Sequence, residues 1–182
     1  SERAGTLTTS SSIAPPANQI FEATGVDTLL NSTQYGAASA TDIFDITITN
    51  NAPESFGIGN HTITWNTTDS NGNNSTTTHT ITIQDTTPPI ITAPDDVIIE
   101  ATNLSTILTS NNYGTATASD IFGITIINNA TGTLSLGNHT IMWNVTDSNN
   151  NTATATQNIT LQDTTIPTIN ILGQSSLHQE YG

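Results

Sequence analysis

The sequence predicts an all-β chain made of two tandem Greek-key β-sandwiches joined by a short proline-rich linker. Three observations predict it: the chain repeats itself at a constant spacing, apolar and polar residues alternate along short segments, and turn residues separate those segments. Alternation with a period of two is typical of strands that bury one face. Several short strands bounded by turns within each repeat favour a sandwich.

The repeat has a period of 78 residues, the difference between Trp143 and Trp65. The residues around Trp65 read HTITWNTTDSNGN, and those around Trp143 read HTIMWNVTDSNNN. The same offset relates other landmarks: Glu22 and Glu100, Tyr35 and Tyr113, Asp42 and Asp120, His61 and His139, Asp85 and Asp163. One constant offset indicates a duplication. We therefore predict one module over residues 1–86 and a second over 87–164. Residues 165–182 should form a strand that starts a further such domain or is donated to a neighbour.

The strand around each tryptophan shows the alternation most clearly. Ile63 and Trp65 fall on one face of the strand, while Thr62, Thr64 and Asn66 fall on the other. We expect Trp65 and its counterpart Trp143 to be core residues and not platforms that stack on sugars. Residues 69–73 have the composition of a hairpin turn. Residues 85–89 contain two prolines, which fix φ and favour an extended, stiff linker.

The composition excludes several functions. Only 9% of the residues are charged, lysine is absent, Arg3 is the only arginine, and the net charge is -14. Phosphate binding depends on Lys and Arg, so we expect neither nucleic acid nor anionic lipid as a partner. The absence of cysteine excludes disulfides and thiolate metal sites. No stretch approaches the roughly 20 apolar residues of a membrane span, so we expect no direct insertion of this segment.

The motifs resemble a HYR (hyalin repeat) module. The resemblance runs through DTTPPIITAPDDVIIEAT, then ASD, then LSLGNHTIMWNVTDSNNNTATATQNITLQD, and covers about residues 13–164. The chain departs from that pattern in lacking a cysteine pair, in having Asn150 at the turn glycine, and in lacking the Asp-Pro opening in its first copy. The resemblance implies an immunoglobulin-like fold in an extracellular, adhesive or structural protein, here a microbial surface protein, and it implies no catalytic residues.

The Asn-x-Ser/Thr pattern marks candidate sites of N-glycosylation. An exposed sheet rich in Asn and Thr also produces this pattern by chance. The matching residues are Asn31, Asn60, Asn66, Asn73, Asn74, Asn103, Asn129, Asn138, Asn144, Asn150 and Asn158.

Clustered acidic residues suggest a structural Ca²⁺ ion, which prefers carboxylate and carbonyl oxygens. Asp69 and Asp147 begin Asp-x-Asn-x-Asn sequences, but in a hairpin these side chains more often bond their own turn backbone. A second possibility is a junction site, in which Asp85 of the linker meets Asp95, Asp96 or a loop aspartate of the first copy. No other cofactor is expected.

The histidines occur singly, and we find no Gly-x-Ser-x-Gly elbow and no phosphate loop before a helix, so we do not expect an enzyme. The sequence favours a non-catalytic module of a cell-surface, stalk, surface-layer or filament protein, which is N-glycosylated and assembles with copies of itself or with further repeats. The alternative is an adhesin that binds a glycan or protein ligand through its loops. An accessory domain of a secreted enzyme is a third hypothesis.

Overall fold

The computed structural model describes residues 11–170. Within these residues the chain divides into two compact units. The first comprises 11–92, 118–127 and 144–154, and the second comprises 93–117, 128–143 and 155–170. The predicted C-terminal strand lies mostly outside this range, since residues 171–182 are not described and residues 163–170 form no regular structure.

The first repeat forms a four-stranded sheet in the order β2-β6-β5-β4 and a separate pair, β1-β3. Strand β2 runs parallel to β6, with Phe21 opposite Ile83, while β4, β5 and β6 are antiparallel. Strands β5 and β6 are joined by the predicted hairpin turn. The elements are β1 Ser12–Ala14, β2 Gln19–Glu22, α1 Ser32–Tyr35, β3 Ser39–Thr41, β4 Ile46–Asn50, β5 Gly59–Asp69 and β6 Asn74–Gln84.

The second repeat has the elements of the first at the same offset and adds a short strand pair where the first repeat has an isolated bridge between Thr28 and Phe56. Its four-stranded sheet has the order β11-β13-β14-β8, and β14 and β8 are parallel. Strands β7 and β10 pair, and so do β9 and β12. The fold is therefore all-β with two tandem sandwiches, as predicted. The elements are β7 Ile90–Thr92, β8 Val97–Glu100, β9 Thr106–Ile107, α2 Ser110–Tyr113, β10 Thr117–Ser119, β11 Ile124–Asn128, β12 Thr133–Leu134, β13 Gly137–Asp147 and β14 Thr152–Gln162.

Both tryptophans lie in the core, which confirms their predicted role. In the first repeat the inward residues of β5 meet Tyr35 of the single-turn helix α1 and Phe56 of a loop. Tyr35 is 6.3 Å from Phe56 and 6.5 Å from Trp65 between ring centroids, in tilted arrangements. Tilted aromatic pairs at such distances are attractive beyond the area they bury.

The two cores differ at one buried polar position. In the first repeat the Trp65 indole N–H donates to His79 Nδ1 at 2.9 Å, and the rings are stacked. In the second repeat the equivalent residue is Gln157, whose Nε2 donates to the backbone carbonyls of Asp95 and Tyr113, both at 2.7 Å. Burial lowers the pKa of His79 below its ordinary value of 6.5.

The turn between β13 and β14 contains a strained residue. Asn150 has φ 71°, whereas its counterpart in the first repeat, Gly72, has φ 86°. The left-handed region is open to glycine and disfavoured for side chains, although Asn tolerates it better than most residues. The missing turn glycine noted in the sequence therefore leaves the backbone conformation intact.

We expect Asn150→Gly to raise the stability of the chain by about 0.5–1 kcal/mol, because it removes the left-handed strain. The reciprocal Gly72→Asn should lower stability by a similar amount. Thermal unfolding followed by circular dichroism measures both changes. If both substitutions changed stability equally and in the same direction, the strain at Asn150 would not be the cause of the change.

We also expect the first repeat to lose stability as the pH falls through and below about 6.5. His79 is neutral when folded, and its folded pKa lies below the unfolded value of 6.5, so the stabilisation is fully present above that pH and is lost on acidification. The limiting slope for one proton is about 1.4 kcal/mol per pH unit.

Denaturant unfolding of the wild type and His79→Gln between pH 7.5 and 5.5 measures this slope. Glutamine is the residue that the second repeat has at this position, so the variant should fold and show a flatter profile. Identical profiles in the two proteins would show that His79 is not responsible.

Candidate functional site: carboxylates of the linker and turns

Two glutamates hold the segments that leave the last strand of each repeat. The Glu22 carboxylate accepts hydrogen bonds from the Thr86 backbone N–H at 2.6 Å, the Thr86 hydroxyl at 3.0 Å and the Thr87 hydroxyl at 3.0 Å. We call this set of bonds the carboxylate latch. The bond from the Thr86 N–H is the largest cause that holds the pKa of Glu22 below its usual range. Glu100 holds Thr164 and Thr165 in the same way.

Two aspartates organise the hairpin turns. Asp147 accepts from the backbone N–H groups of Asn149 at 2.7 Å and Asn151 at 2.9 Å, and from the Asn151 side chain at 2.8 Å. Burial raises the pKa of Asp147, but the bonds from Asn151 and Asn149 outweigh it and hold the pKa below the ordinary value. Asp69 makes the equivalent bonds with Asn71 and Asn73. The expected structural role of these aspartates is present in both repeats.

A third aspartate caps the loop between β10 and β11. Asp120 Oδ1 accepts from the Phe122 backbone N–H at 2.9 Å, and Asp42 accepts from Phe44 at 3.0 Å in the first repeat. The loop holds the carboxylate in place because its own backbone N–H is the donor. In the sequence, Asp42 and Asp120 are recognisable only as landmarks of the repeat.

Three aspartate carboxylates, one of them from the linker, converge within the first compact unit. Asp85, Asp120 and Asp147 each place an oxygen within 4.8 Å of the other two. Asp85 is 9% exposed and Asp147 is 5% exposed. The Asn149 side chain donates to Asp85 Oδ2 at 2.8 Å, and the Asn151 side chain donates to the Asp85 carbonyl at 3.1 Å. The group therefore combines three carboxylates, and the amide nitrogens of two asparagines hold Asp85 within it.

The electrostatics of this group favour a cation. Like charges this close raise the energy of the ionised state. Residues 11–170 contain no lysine or arginine that could neutralise them. Oxygen ligands of this kind suit a hard divalent cation, and Ca²⁺ tolerates the irregular geometry that loops provide.

The structure unites some of the predicted metal residues and separates others. Asp85 and Asp147 come together, and Asp120, which was not among the predicted metal residues, joins them. Asp69, Asp95 and Asp96 are not members of this group. The Asp96 carboxylate accepts from the backbone and side chain of Asn158. The sequence marked Asp120 only by its place in the repeated Ala-x-Asp pattern, which gives no indication of its neighbours in space.

The asparagines of the acceptor pattern fall into three groups. The amide nitrogen is the atom that carries a glycan. In Asn66, Asn73 and Asn158 this nitrogen donates a hydrogen bond, to Thr68, Asp69 and Asp96 respectively. Asn150 lies in the strained turn, and Asn144 is half-buried. The remaining candidates are exposed: Asn31, Asn60, Asn74, Asn103, Asn129 and Asn138.

Asn60 and Asn138 are equivalent positions at the starts of β5 and β13. In each, Oδ1 accepts from a threonine hydroxyl of the neighbouring strand, Thr82 at 2.8 Å and Thr160 at 3.0 Å. That bond orients the side chain across the sheet surface and leaves the amide nitrogen available. Asn31 uses Oδ1 to cap helix α1, which also leaves its nitrogen available.

The histidines at the starts of β5 and β13 have a structural role. His61 Nε2 bonds the Gly57 carbonyl, and His139 Nε2 bonds the Ser135 carbonyl, both at 2.7 Å. Each bond holds the chain segment that leads into the strand containing the tryptophan. The repeated polar residues are thus engaged with the backbone of their own module.

The family model that matches this chain is the HYR domain, over residues 8–83 and 84–161. The chain belongs to the HYR domain family. HYR modules are extracellular, adhesion-related domains of cell-surface proteins, and they are not enzymes. Among residues 11–170 no helix is both long and apolar enough to cross a bilayer.

A relative of this chain is hyalin of Lytechinus variegatus, which is 34% identical over 132 residues. That match covers 68% of this chain and 25% of hyalin, so the chain spans about a quarter of the relative's length. The comparison gives no support to the microbial source that we expected.

Solved structures of other β-sandwich arrays resemble the chain weakly. Mouse cadherin-23 EC22-24 is 15% identical, with a TM-score of 0.38, over 84% of this chain and 67% of that one. Drosophila N-cadherin EC1-4 is 12% identical, with a TM-score of 0.41, over 86% of this chain and 50% of that one. Likeness at this level carries no argument about the function of this HYR chain.

Proposed function

We propose that this HYR chain is a non-catalytic structural module of an extracellular surface, stalk, surface-layer or filament protein. One observation supports it above the others: the polar residues that the two repeats share are bonded within the scaffold. Glu22 and Glu100 hold linkers, Asp69 and Asp147 hold turns, and the two equivalent histidines hold strand entries. A catalytic group must contact a substrate, whereas these groups contact their own backbone.

The alternative of an adhesin with a loop-borne ligand site has weaker support. A cavity in the second repeat, lined by Leu108, Tyr113 and His139 among others, has a volume of about 190 Å³. Ligand pockets usually measure about 300–1,000 Å³. A larger space of about 410 Å³ beside Ala101 is an open surface groove and not an enclosed pocket. A flat protein partner fits this surface better than an enclosed small ligand.

We propose further that Ca²⁺ binds at Asp85, Asp120 and Asp147 and stiffens the linker. The support is the convergence of three carboxylates from the linker, a loop and a turn, with no lysine or arginine among residues 11–170. A cation would offset the repulsion between them and would tie the linker to the loop and the turn. The carboxylate latch of Glu22 already orients the linker, so the ion would bind a preformed arrangement.

Ca²⁺ is expected to raise the melting temperature of the wild type, and Asp120→Asn is expected to lose most of that increase. A ligand at about 100 times its Kd stabilises the folded state by about 2.7 kcal/mol. Calorimetric scans in EDTA and in millimolar CaCl₂ measure the shift. The matched control is Asp42→Asn, which changes the same loop bond in the first repeat and should keep the full response. An unchanged melting temperature of the wild type in CaCl₂ would rule out the site.

Exposed sequons would carry glycans in this proposal, with Asn60 and Asn138 as the best-supported acceptors. Protein recovered from its source organism should be found on the outside of intact cells and should carry extra mass at these two residues. Asn73 and Asn158 should be unmodified, because their amide nitrogens donate to Asp69 and Asp96.

Antibody labelling of intact cells and peptide mass mapping test the proposal together. Labelling that requires permeabilised cells would refute the extracellular role. Occupancy of Asn73 or Asn158, with Asn60 and Asn138 bare, would refute the structural sorting of the acceptors.

A further inference from the structure

The C-terminal end of the second repeat presents the same linker geometry as the end of the first. The Glu100 carboxylate accepts from the Thr164 N–H at 2.6 Å and the Thr164 hydroxyl at 3.0 Å, the same distances as in the Glu22 latch. The Thr165 N–H donates to Asp163 Oδ1 at 3.1 Å, compared with 3.2 Å for Thr87 and Asp85. Asp163 therefore accepts the same bond from its own segment that Asp85 accepts.

The two equivalent aspartates differ in what surrounds them. Asp85 is 9% exposed and is bonded by the side chains of Asn149 and Asn151. Asp163 is exposed, and within residues 11–170 its hydrogen bond is the one from Thr165 in its own segment. The second repeat thus ends in a linker shaped for a contact that the first linker makes.

The apolar surface beside this linker shows the same difference. In the first compact unit Phe122 packs against the core cluster that contains Ala23. The residue equivalent to Ala23 is Ala101, which is only partly buried. Ala101 borders an open groove of about 410 Å³ that is also lined by Leu104, Leu136, Asp163 and Thr165. Leu104 is 93% exposed, so an apolar surface lies open beside the linker.

The complementary surface is present on the first repeat. The loop that contains Asp42 and Phe44 and the turn from Asp69 to Asn73 have the same internal bonds as their counterparts in the second repeat. Ile43 at the tip of this loop is 73% exposed, whereas its counterpart Ile121 is 48% exposed. Phe44 is also exposed to solvent. We call this surface the loop end, and we call the surface formed by Asp163 and the groove the linker end.

We propose that the linker end of one chain docks onto the loop end of a second copy of this chain. The contact seen at Asp85 supplies the template: the amides of Asn71 and Asn73 would donate to Asp163, and Phe44 would cover the groove at Ala101. The interface is heterologous, since two different surfaces meet, so association continues head to tail into open chains. This names a partner for the structural role proposed above and rests on that role.

The charge of the chain sets a condition for this docking. Asp163 would approach Asp42 and Asp69, and each chain carries a net charge of -14. The repulsion between these carboxylates would oppose association, and a divalent cation would offset that repulsion. We therefore expect association to be stronger in CaCl₂ than in EDTA.

Sedimentation velocity of the full 182-residue chain tests the proposal over a concentration series up to about 1 mM. The weight-average mass of the wild type should at least double from the 19.1 kDa of one chain, in CaCl₂ or in both buffers. Association in both buffers supports docking that needs no cation. A mass that stays at one chain in both buffers overturns the proposal.

Two single variants test the two surfaces separately. Leu136→Glu places a charge in the groove, and Phe44→Ser removes the side chain that would cover it, so each variant alone should stay monomeric. Ile98→Glu is the control, because Ile98 is a similarly exposed residue on β8, outside both surfaces, and this variant should associate like the wild type. Circular dichroism establishes that each variant is folded.

Mixing the two monomeric variants gives the sharpest outcome. Leu136→Glu retains its loop end and Phe44→Ser retains its linker end, so the mixture should form dimers of one chain of each kind and nothing longer. Association of Leu136→Glu by itself, at the strength of the wild type, would overturn the proposal. A chain found on intact cells that stays monomeric in every buffer would remove the docking and leave the structural role standing.

Discussion

Hydrogen bonds donated to carboxylates are the interaction on which the rest of this structure depends. In a chain without lysine, the acidic side chains are stabilised by backbone N–H groups, hydroxyls and amides instead of by basic partners. Glu22 fixes the linker and Asp147 fixes a turn through such bonds. Charge-assisted hydrogen bonds of this kind are stronger than neutral ones. They hold the ionised groups in loops and turns that would otherwise be poorly defined.

The same bonds explain why the acidic residues converge. A carboxylate that is held by its own turn cannot rotate away when a second one approaches. Asp85, Asp120 and Asp147 are each fixed by donors within their own segments or in the adjacent turn, so the repulsion among them is maintained by the fold. Three charges held this close together suit the divalent cation proposed above. The duplication places an equivalent latch glutamate, Glu100, and an equivalent linker aspartate, Asp163, at the C-terminal end of the second repeat.

The two repeats show how far a scaffold tolerates change at equivalent positions. A buried histidine bonds a tryptophan in one core, and Gln157 bonds two backbone carbonyls in the other. The two side chains satisfy different groups: His79 accepts from the Trp65 indole, whereas Gln157 donates to carbonyls and leaves the Trp143 indole nitrogen without a partner among residues 11–170. The left-handed turn likewise accepts Gly72 in one repeat and Asn150 in the other. The long strands of both repeats keep the same pairing order despite these local differences.

The sequence by itself determined the all-β class, the duplication, the burial of Trp65 and Trp143 and the hairpin turn, because these depend on local alternation and turn composition. Only the tertiary structure decided the parallel pairing of β2 with β6, the latch formed by Glu22 and the place of Asp120 beside Asp85. Those features join residues far apart in the chain, and nothing in a local pattern specifies which distant segment a carboxylate will meet. The sequence named Asp85 and Asp147 from their chemistry, but their neighbours followed from the fold.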